Sequence, residues 1–294
     1  MTARLATHAD VAGWTPEVLE RLAGAGVDVE LVGGDFGIPD VGVDPLRGVS
    51  EGTWDLALVG IRALRGSASD DLTTVAVLPR LDPRDVLVSL SGRATPLAEL
   101  PTGGRVGLIG GRRRAFLAAH RPDMEAVGLD RGMLHAIADA RRAGREADLD
   151  AMDLDAIILS AVSARRVGLV DAAVEALDAK AWLPEPGQGA LALVARHPIA
   201  EATALDHLPT RTALRAELAL LERLDAPDDA SLGCLAQPSG RWIRLWAAAV
   251  SADGRRLVRS DLTGPLDEPE GLGAAVAREL QGRGFALVLA GVDR

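Results

Sequence analysis

Trp182-Leu-Pro-Glu-Pro-Gly-Gln-Gly-Ala-Leu191 sets two prolines and two glycines immediately ahead of the apolar run Ala190-Leu-Ala-Leu-Val194. Proline fixes φ and glycine reaches backbone conformations closed to other residues, so the segment reads as a tight turn, lying close to neighbouring backbone, that feeds a buried strand. Working outward, runs of the same kind stand at Asp55-Leu-Ala-Leu-Val-Gly-Ile61, Val75 to Leu78, Val86 to Leu90, Val106 to Ile109 and Asp155-Ala-Ile-Ile-Leu-Ser160. An apolar run without polar alternation marks a strand covered on both faces. Helical patterns lie between several of these runs, and such alternation predicts an α/β fold of mixed sheets with crossover helices.

Nearer the N-terminus, a helix is expected from about Thr15 to Leu22, with Thr15 as N-cap and Pro16 at the first helical position. A strand Val27 to Val32 follows, ending at Gly33-Gly34-Asp35, and then a Gly/Pro-rich stretch from Gly37 to Gly52. After His207 the character changes. An Arg/Glu/Leu-rich helix from about Thr210 to Leu224 leads through a polar Pro-Asp-Asp loop to the segment holding Cys234, then to a hairpin around Ser251-Ala-Asp-Gly254. The expected organisation is therefore three domains: 1–84 with 187–205, then 85–186, then a small C-terminal α+β domain over 206–294. No internal repeat or low-complexity tract interrupts it.

The chain has 294 residues, 48% of them hydrophobic and 25% charged, which suits several packed cores and argues against disorder. A formal net charge of -10 argues against a nucleic-acid partner, which would need a basic face. No apolar run approaches the roughly 18 to 20 residues that span a membrane, and no basic segment followed by an apolar stretch opens the chain, so a cytoplasmic location is expected. The five histidines, His8, His120, His135, His197 and His207, are scattered, and with a single cysteine no metal site is expected. Lys180 is the only lysine, and the many arginines are spread through every segment as a compositional bias.

Several further motifs stand in order along the chain: Asp82-Pro-Arg-Asp85, Val106-Gly107 ahead of Arg112-Arg113, Arg131-Gly132, Asp155-Ala-Ile-Ile-Leu159, Arg166, Ala216-Glu217 and Gly233-Cys234. Together with Pro186-Gly-Gln-Gly-Ala-Leu191 they resemble the porphobilinogen deaminase (hydroxymethylbilane synthase) family over nearly the whole chain. The resemblance implies two α/β domains arranged as in periplasmic binding proteins, with a cleft between them, and a third domain carrying a cysteine. It further implies a dipyrromethane cofactor on that cysteine, here Cys234, to which porphobilinogen units are added with loss of ammonia. Arg62, Arg112, Arg113, Arg131 and Arg166 fall on positions where the family binds acetate and propionate groups, chemistry that suits the planar guanidinium. A small polycarboxylated ligand is the partner expected.

The departures from the family are concentrated at chemical positions. Its Lys-Asp becomes Arg62-Ala63, so the carboxylate that stabilises cationic pyrrole intermediates is replaced by a methyl group. Its His-Ser becomes Val59-Gly60, and its Thr-Ser-Ser becomes Leu108-Ile109-Gly110. Met133 and Ala136-Ile137 replace an Asn and a Thr-Arg, and the segment between Asp35 and Asp55 is short. Proline follows the cysteine one place late, at Pro238. Asp10 or Asp35 could supply a substitute acid; depending on the register of Thr7-His8-Ala9-Asp10, Asp10 enters the cleft or leaves it. The expected function is a divergent, deaminase-like protein with altered or lost hydroxymethylbilane synthase activity. The alternatives are an active synthase and a non-enzymatic carboxylate-binding or partner protein.

Overall fold

The computed structural model describes residues 2–32, 44–65, 71–90, 94–227 and 229–290. Its strands are β1 (Ala3–Thr7), β2 (Val29–Leu31), β3 (Leu56–Gly60), β4 (Thr73–Val77), β5 (Asp85–Ser89), β6 (Arg105–Leu108), β7 (Glu125–Gly128), β8 (Ala156–Ser160), β9 (Ala173–Ala176), β10 (Leu191–Ala195), β11 (Leu232–Ser239), β12 (Trp242–Val250) and β13 (Leu257–Pro265). Its helices are α1 (Thr15–Gly24), α2 (Pro45–Ser50), α3 (Ile61–Arg65), α4 (Gly111–His120), α5 (Arg131–Arg142), α6 (Glu146–Asp150), α7 (Ala161–Arg166), α8 (Ala200–Thr203), α9 (Leu208–Leu224), α10 (Pro269–Gly282) and α11 (Phe285–Ala290). None of the described helices is long and apolar enough to cross a membrane. The chain divides into two compact units, Met1–Asp82 with Gly187–Thr212, and Pro83–Pro186 with Ala213–Arg294.

The first unit is built on a mixed sheet of order β2-β1-β3-β10-β4. β1 runs parallel to both β2 and β3, while β10 is antiparallel to β3 and β4. β10 is buried along its whole length, as a strand with no polar alternation should be. α1 begins at Thr15, but Thr15 is its first residue rather than its cap: a 3-10 turn over Ala9–Trp14 leads in, and Trp14 holds the cap position without a side-chain bond. Thr15 instead turns its hydroxyl toward the Thr7 hydroxyl, 3.3 Å away. The strand expected over Val27 to Val32 is shorter, at Val29–Leu31, and Gly33, Gly34 and Asp35 lie outside the described residues. Within the Gly/Pro-rich stretch, α2 forms because Asp44 accepts from the Leu46 amide at 3.0 Å and Pro45 is preset for a first turn.

The second unit holds a mixed sheet of order β7-β6-β8-β5-β9 and an antiparallel sheet β11-β12-β13. In the mixed sheet β6 is parallel to β7 and β8, and β5 is antiparallel to β8 and β9. Strand alternation divides its apolar residues between two cores. Val86, Val88, Ile157 and Leu159 pack with Leu134, Ile137 and Ala164, whereas Leu87, Val106, Leu108 and Ile158 pack with Phe116, Leu117 and Trp182. Each fully buried side chain of this size contributes about 1.5–3 kcal/mol. The small sheet divides in the same way. Leu232, Cys234, Ala236, Ile243 and Leu245 face Leu220, Val276 and Leu280 of α9 and α10, while Trp246, Ala248 and Val250 join the core with Phe116 and Trp182. The hairpin expected at Ser251 to Gly254 joins β12 to β13.

Candidate functional site

In the second unit, three parallel strands deliver their helices to one edge. β6 runs into α4, β7 into α5 and β8 into α7. Because β5 is antiparallel to β8, with Asp85 opposite Ser160, Asp85 stands at that same edge. The carboxyl ends of parallel strands, where helix N-termini turn backbone amides and partial positive charge outward, suit an anionic ligand.

Asp85 is 0% exposed, and its carboxylate takes donors from Arg112, Arg113 and Trp182. Arg112 Nη2 donates to Oδ2 at short range, Trp182 Nε1 donates to the same oxygen at 2.9 Å, and Arg113 Nη2 donates to Oδ1 at 3.0 Å. Burial alone would raise the Asp85 carboxyl, but the two guanidinium groups outweigh it and hold Asp85 well below the usual carboxylate range. Arg112, only 7% exposed, gives its other terminal nitrogen to the Leu183 carbonyl at 2.6 Å, and Arg113 gives one to the Ile109 carbonyl at 2.9 Å. Glu185 adds a second negative charge acting on both arginines. The two arginines expected to hold a ligand are thus held by the protein's own acid.

The signature segment ties this cluster to the cysteine. Trp182 and Leu183 bind Asp85 and Arg112, and the next residue, Pro184, accepts the Cys234 amide at 2.9 Å. Gly233 allows the approach, since a Cβ there would fall 2.6 Å from the Leu183 carbonyl oxygen. The Cys234 side chain is fully buried in the apolar cluster beneath β11.

Arg131 is exposed at the start of α5, where Asp130 caps the helix by accepting from Met133 N at 2.7 Å. Arg166 ends α7, and its Nε is buried with no hydrogen-bond partner among the described residues. Arg112 and Arg113 are therefore brought together at Asp85, while Arg131 and Arg166 sit on separate helices.

In the first unit the carboxyl end of β3 runs directly into α3, which carries exposed Arg62 and half-buried Ala63. The signature turn meets this end: Ile61 N donates to Ala190 O at 3.1 Å, and Leu81 N donates to Gly189 O at 2.8 Å. Gly189 has φ +82, and a Cβ on it would lie 2.8 Å from Leu81 O, so the position admits glycine alone without strain. His8 is half-buried after β1; the Asp10 side chain and the whole of Asp35 lie outside the described residues. Asp85 and Trp182 stand inside the motifs quoted above, but a buried carboxylate that takes donors from Arg112, Arg113 and Trp182 is a long-range arrangement that local pattern does not carry.

Residues 47–204 match the family model described as porphobilinogen deaminase, dipyromethane cofactor binding domain. The porphobilinogen deaminase of Desulforudis audaxviator is 35% identical over 253 residues, covering 81% of this chain and 75% of the relative. That of Thermobifida fusca is 36% identical over 233 residues, covering 77% and 69%. Among solved structures, a periplasmic substrate-binding protein of an ABC transporter from Coxiella burnetii aligns with a TM-score of 0.44 at 14% identity, over 69% of this chain and 89% of that one, a likeness on which nothing rests. With more than half its length matched by the family model and two relatives above 30% identity, this chain belongs to the porphobilinogen deaminase family.

Proposed function

We propose that the protein binds a polycarboxylated pyrrole or a similar ligand at its arginine-bearing strand ends, and that hydroxymethylbilane synthase activity is altered or lost. The observation that carries this reading is Ala63. It follows β3 at the position where the family resemblance puts a carboxylate, and a methyl group cannot stabilise a cationic pyrrole. Loss of a preorganised charge partner costs about 10²–10³ in rate on the scale of other electrostatic sites.

Two further features support it. The Cys234 side chain is buried in the apolar cluster of the small sheet, α9 and α10, so a dipyrromethane on its sulfur would require that packing to open, and no step is assigned to one there. Arg112 and Arg113 are engaged by Asp85, and the buried Nε of Arg166, with no hydrogen-bond partner among the described residues, can meet a ligand carboxylate.

The test combines three measurements on the purified full chain from a pyrrole-producing host: calorimetry with porphobilinogen, hydroxymethylbilane formation from it, and intact mass beside a Cys234→Ser variant. Binding without hydroxymethylbilane and without an adduct is the expected result. Turnover at a rate ordinary for an enzyme, or an adduct of dipyrromethane mass absent from the variant, overturns it.

A further inference from the structure

At the edge of the first sheet opposite Ala63, strands begin rather than end. Ala3 opens β1, Asp55 precedes β3, and Arg196 follows the last residue of β10, which runs the other way. Here lies a cavity of about 440 Å³. Small-molecule sites occupy roughly 300–1,000 Å³ and combine apolar walls with a few polar groups. Val27, Trp54 and Ile199 supply apolar wall, and Asp55, Arg196 and Glu201 supply charge.

The charges are open to a ligand. Among the described residues, the side chains of Arg196 and Glu201 form no hydrogen bond or ion pair, although both line the same cavity. Asp55 commits Oδ2 to the Arg4 amide at 2.8 Å, which fixes its carboxylate in place. Arg196 lies across Gly52, which has φ +76; a Cβ there would come within 2.8 Å of Nη2, so the guanidinium rests directly against that glycine. Exposed His197 adds a further donor to the rim. One cation and two anions, held apart around an apolar wall, complement a molecule that carries both signs.

We propose that this cavity is a binding site for a small zwitterion of the amino-acid class. The ligand carboxylate pairs with Arg196, its ammonium pairs with Asp55 and Glu201, and its apolar body lies against Val27, Trp54 and Ile199. The site is independent of the arginines of the second unit and does not rest on the function proposed above.

Three probes with a common ring separate the charges: L-phenylalanine carries both, phenylacetate only the anion and phenethylamine only the cation. Titration of the full chain is followed by the Trp54 indole N–H and the amides of Ala200 and Glu201 in two-dimensional NMR. L-phenylalanine should give saturable shifts, with each single-charge probe binding about tenfold more weakly, the scale of one lost charged hydrogen bond. Arg196→Met and Glu201→Gln, both at exposed positions, should each weaken L-phenylalanine about tenfold with an unchanged circular dichroism spectrum. Absence of saturable shifts at Trp54, equal binding of all three probes, or unchanged affinity in both variants overturns the proposal.

Discussion

Cys234 donates its backbone N–H to the carbonyl of Pro184 at 2.9 Å. The bond joins β11 to the Trp182-Leu-Pro segment whose other groups hold Asp85 and Arg112, so the strand bearing the only cysteine is fastened by main chain to a buried charge cluster. Its side chain points the opposite way, into the core shared with α9 and α10. The residue thus has a packing role of its own, whatever the chemistry at sulfur.

From that orientation the thiol should resist alkylation. Iodoacetamide under native conditions should leave the chain unmodified over hours, and modification should become complete in denaturant, as judged by intact mass. Cys234→Ala should cost about 1 kcal/mol, the scale of a small buried group lost from a packed core. Rapid native labelling would show that the thiol faces solvent.

Asp85 sets a pH dependence. Its folded pKa is depressed below the unfolded value of about 3.9. Its contribution to stability is therefore fully present above about pH 5 and is lost as pH falls toward and through the folded value. Asp85→Asn leaves two buried guanidinium groups short of their counter-charge and should cost about 3–5 kcal/mol at neutral pH. Denaturant midpoints measured between pH 7 and pH 2 should fall more steeply for the parent chain than for the variant. Parallel curves would mean that Asp85 contributes no such linkage.

How far the sequence disclosed this arrangement depended on the range of the interaction. β8 and β10 were legible because a strand buried along its whole length is almost entirely apolar, with Ser160 at the end of β8 the one polar residue of the two. β1 was not, since Arg4 breaks a short run whose other residues are buried. α2 was hidden in a stretch rich in glycine and proline, where one Asp44 cap decides the outcome. Arg112 and Arg113 read as ligand groups because nothing local shows their acid; Asp85 is 27 positions from Arg112 and 97 from Trp182. The direction of the Cys234 side chain was likewise set by strand parity against a helix far along the chain.

The signature turn yields a stability prediction. Gly189→Ala forces a Cβ to within 2.8 Å of the Leu81 carbonyl oxygen at a φ of +82. Strain of this kind costs of order 1–3 kcal/mol. Urea unfolding should show a loss in that range, with far-ultraviolet circular dichroism unchanged before the transition. A neutral result would mean that the turn relaxes away from Leu81 without cost.

The arginines should separate into two classes when each is replaced by glutamine. Arg112 lies inside the Asp85 cluster, so Arg112→Gln leaves a buried carboxylate with one cation fewer and should cost about 3–5 kcal/mol. Arg131 is exposed at the start of α5, and Arg131→Gln should change stability by at most about 1 kcal/mol, the range of an exposed charged contact. For ligand binding the order should reverse in kind. Where the Arg112 variant remains folded, any loss of porphobilinogen affinity should track its loss of structure. The Arg131 variant should bind about ten- to a hundredfold more weakly while melting close to the parent, because one charge-assisted contact is worth about 1.5–3 kcal/mol. Thermal melts beside calorimetry distinguish the two classes. Equal stability of both variants with equal loss of binding would return Arg112 to the ligand and remove the structural role assigned to Asp85.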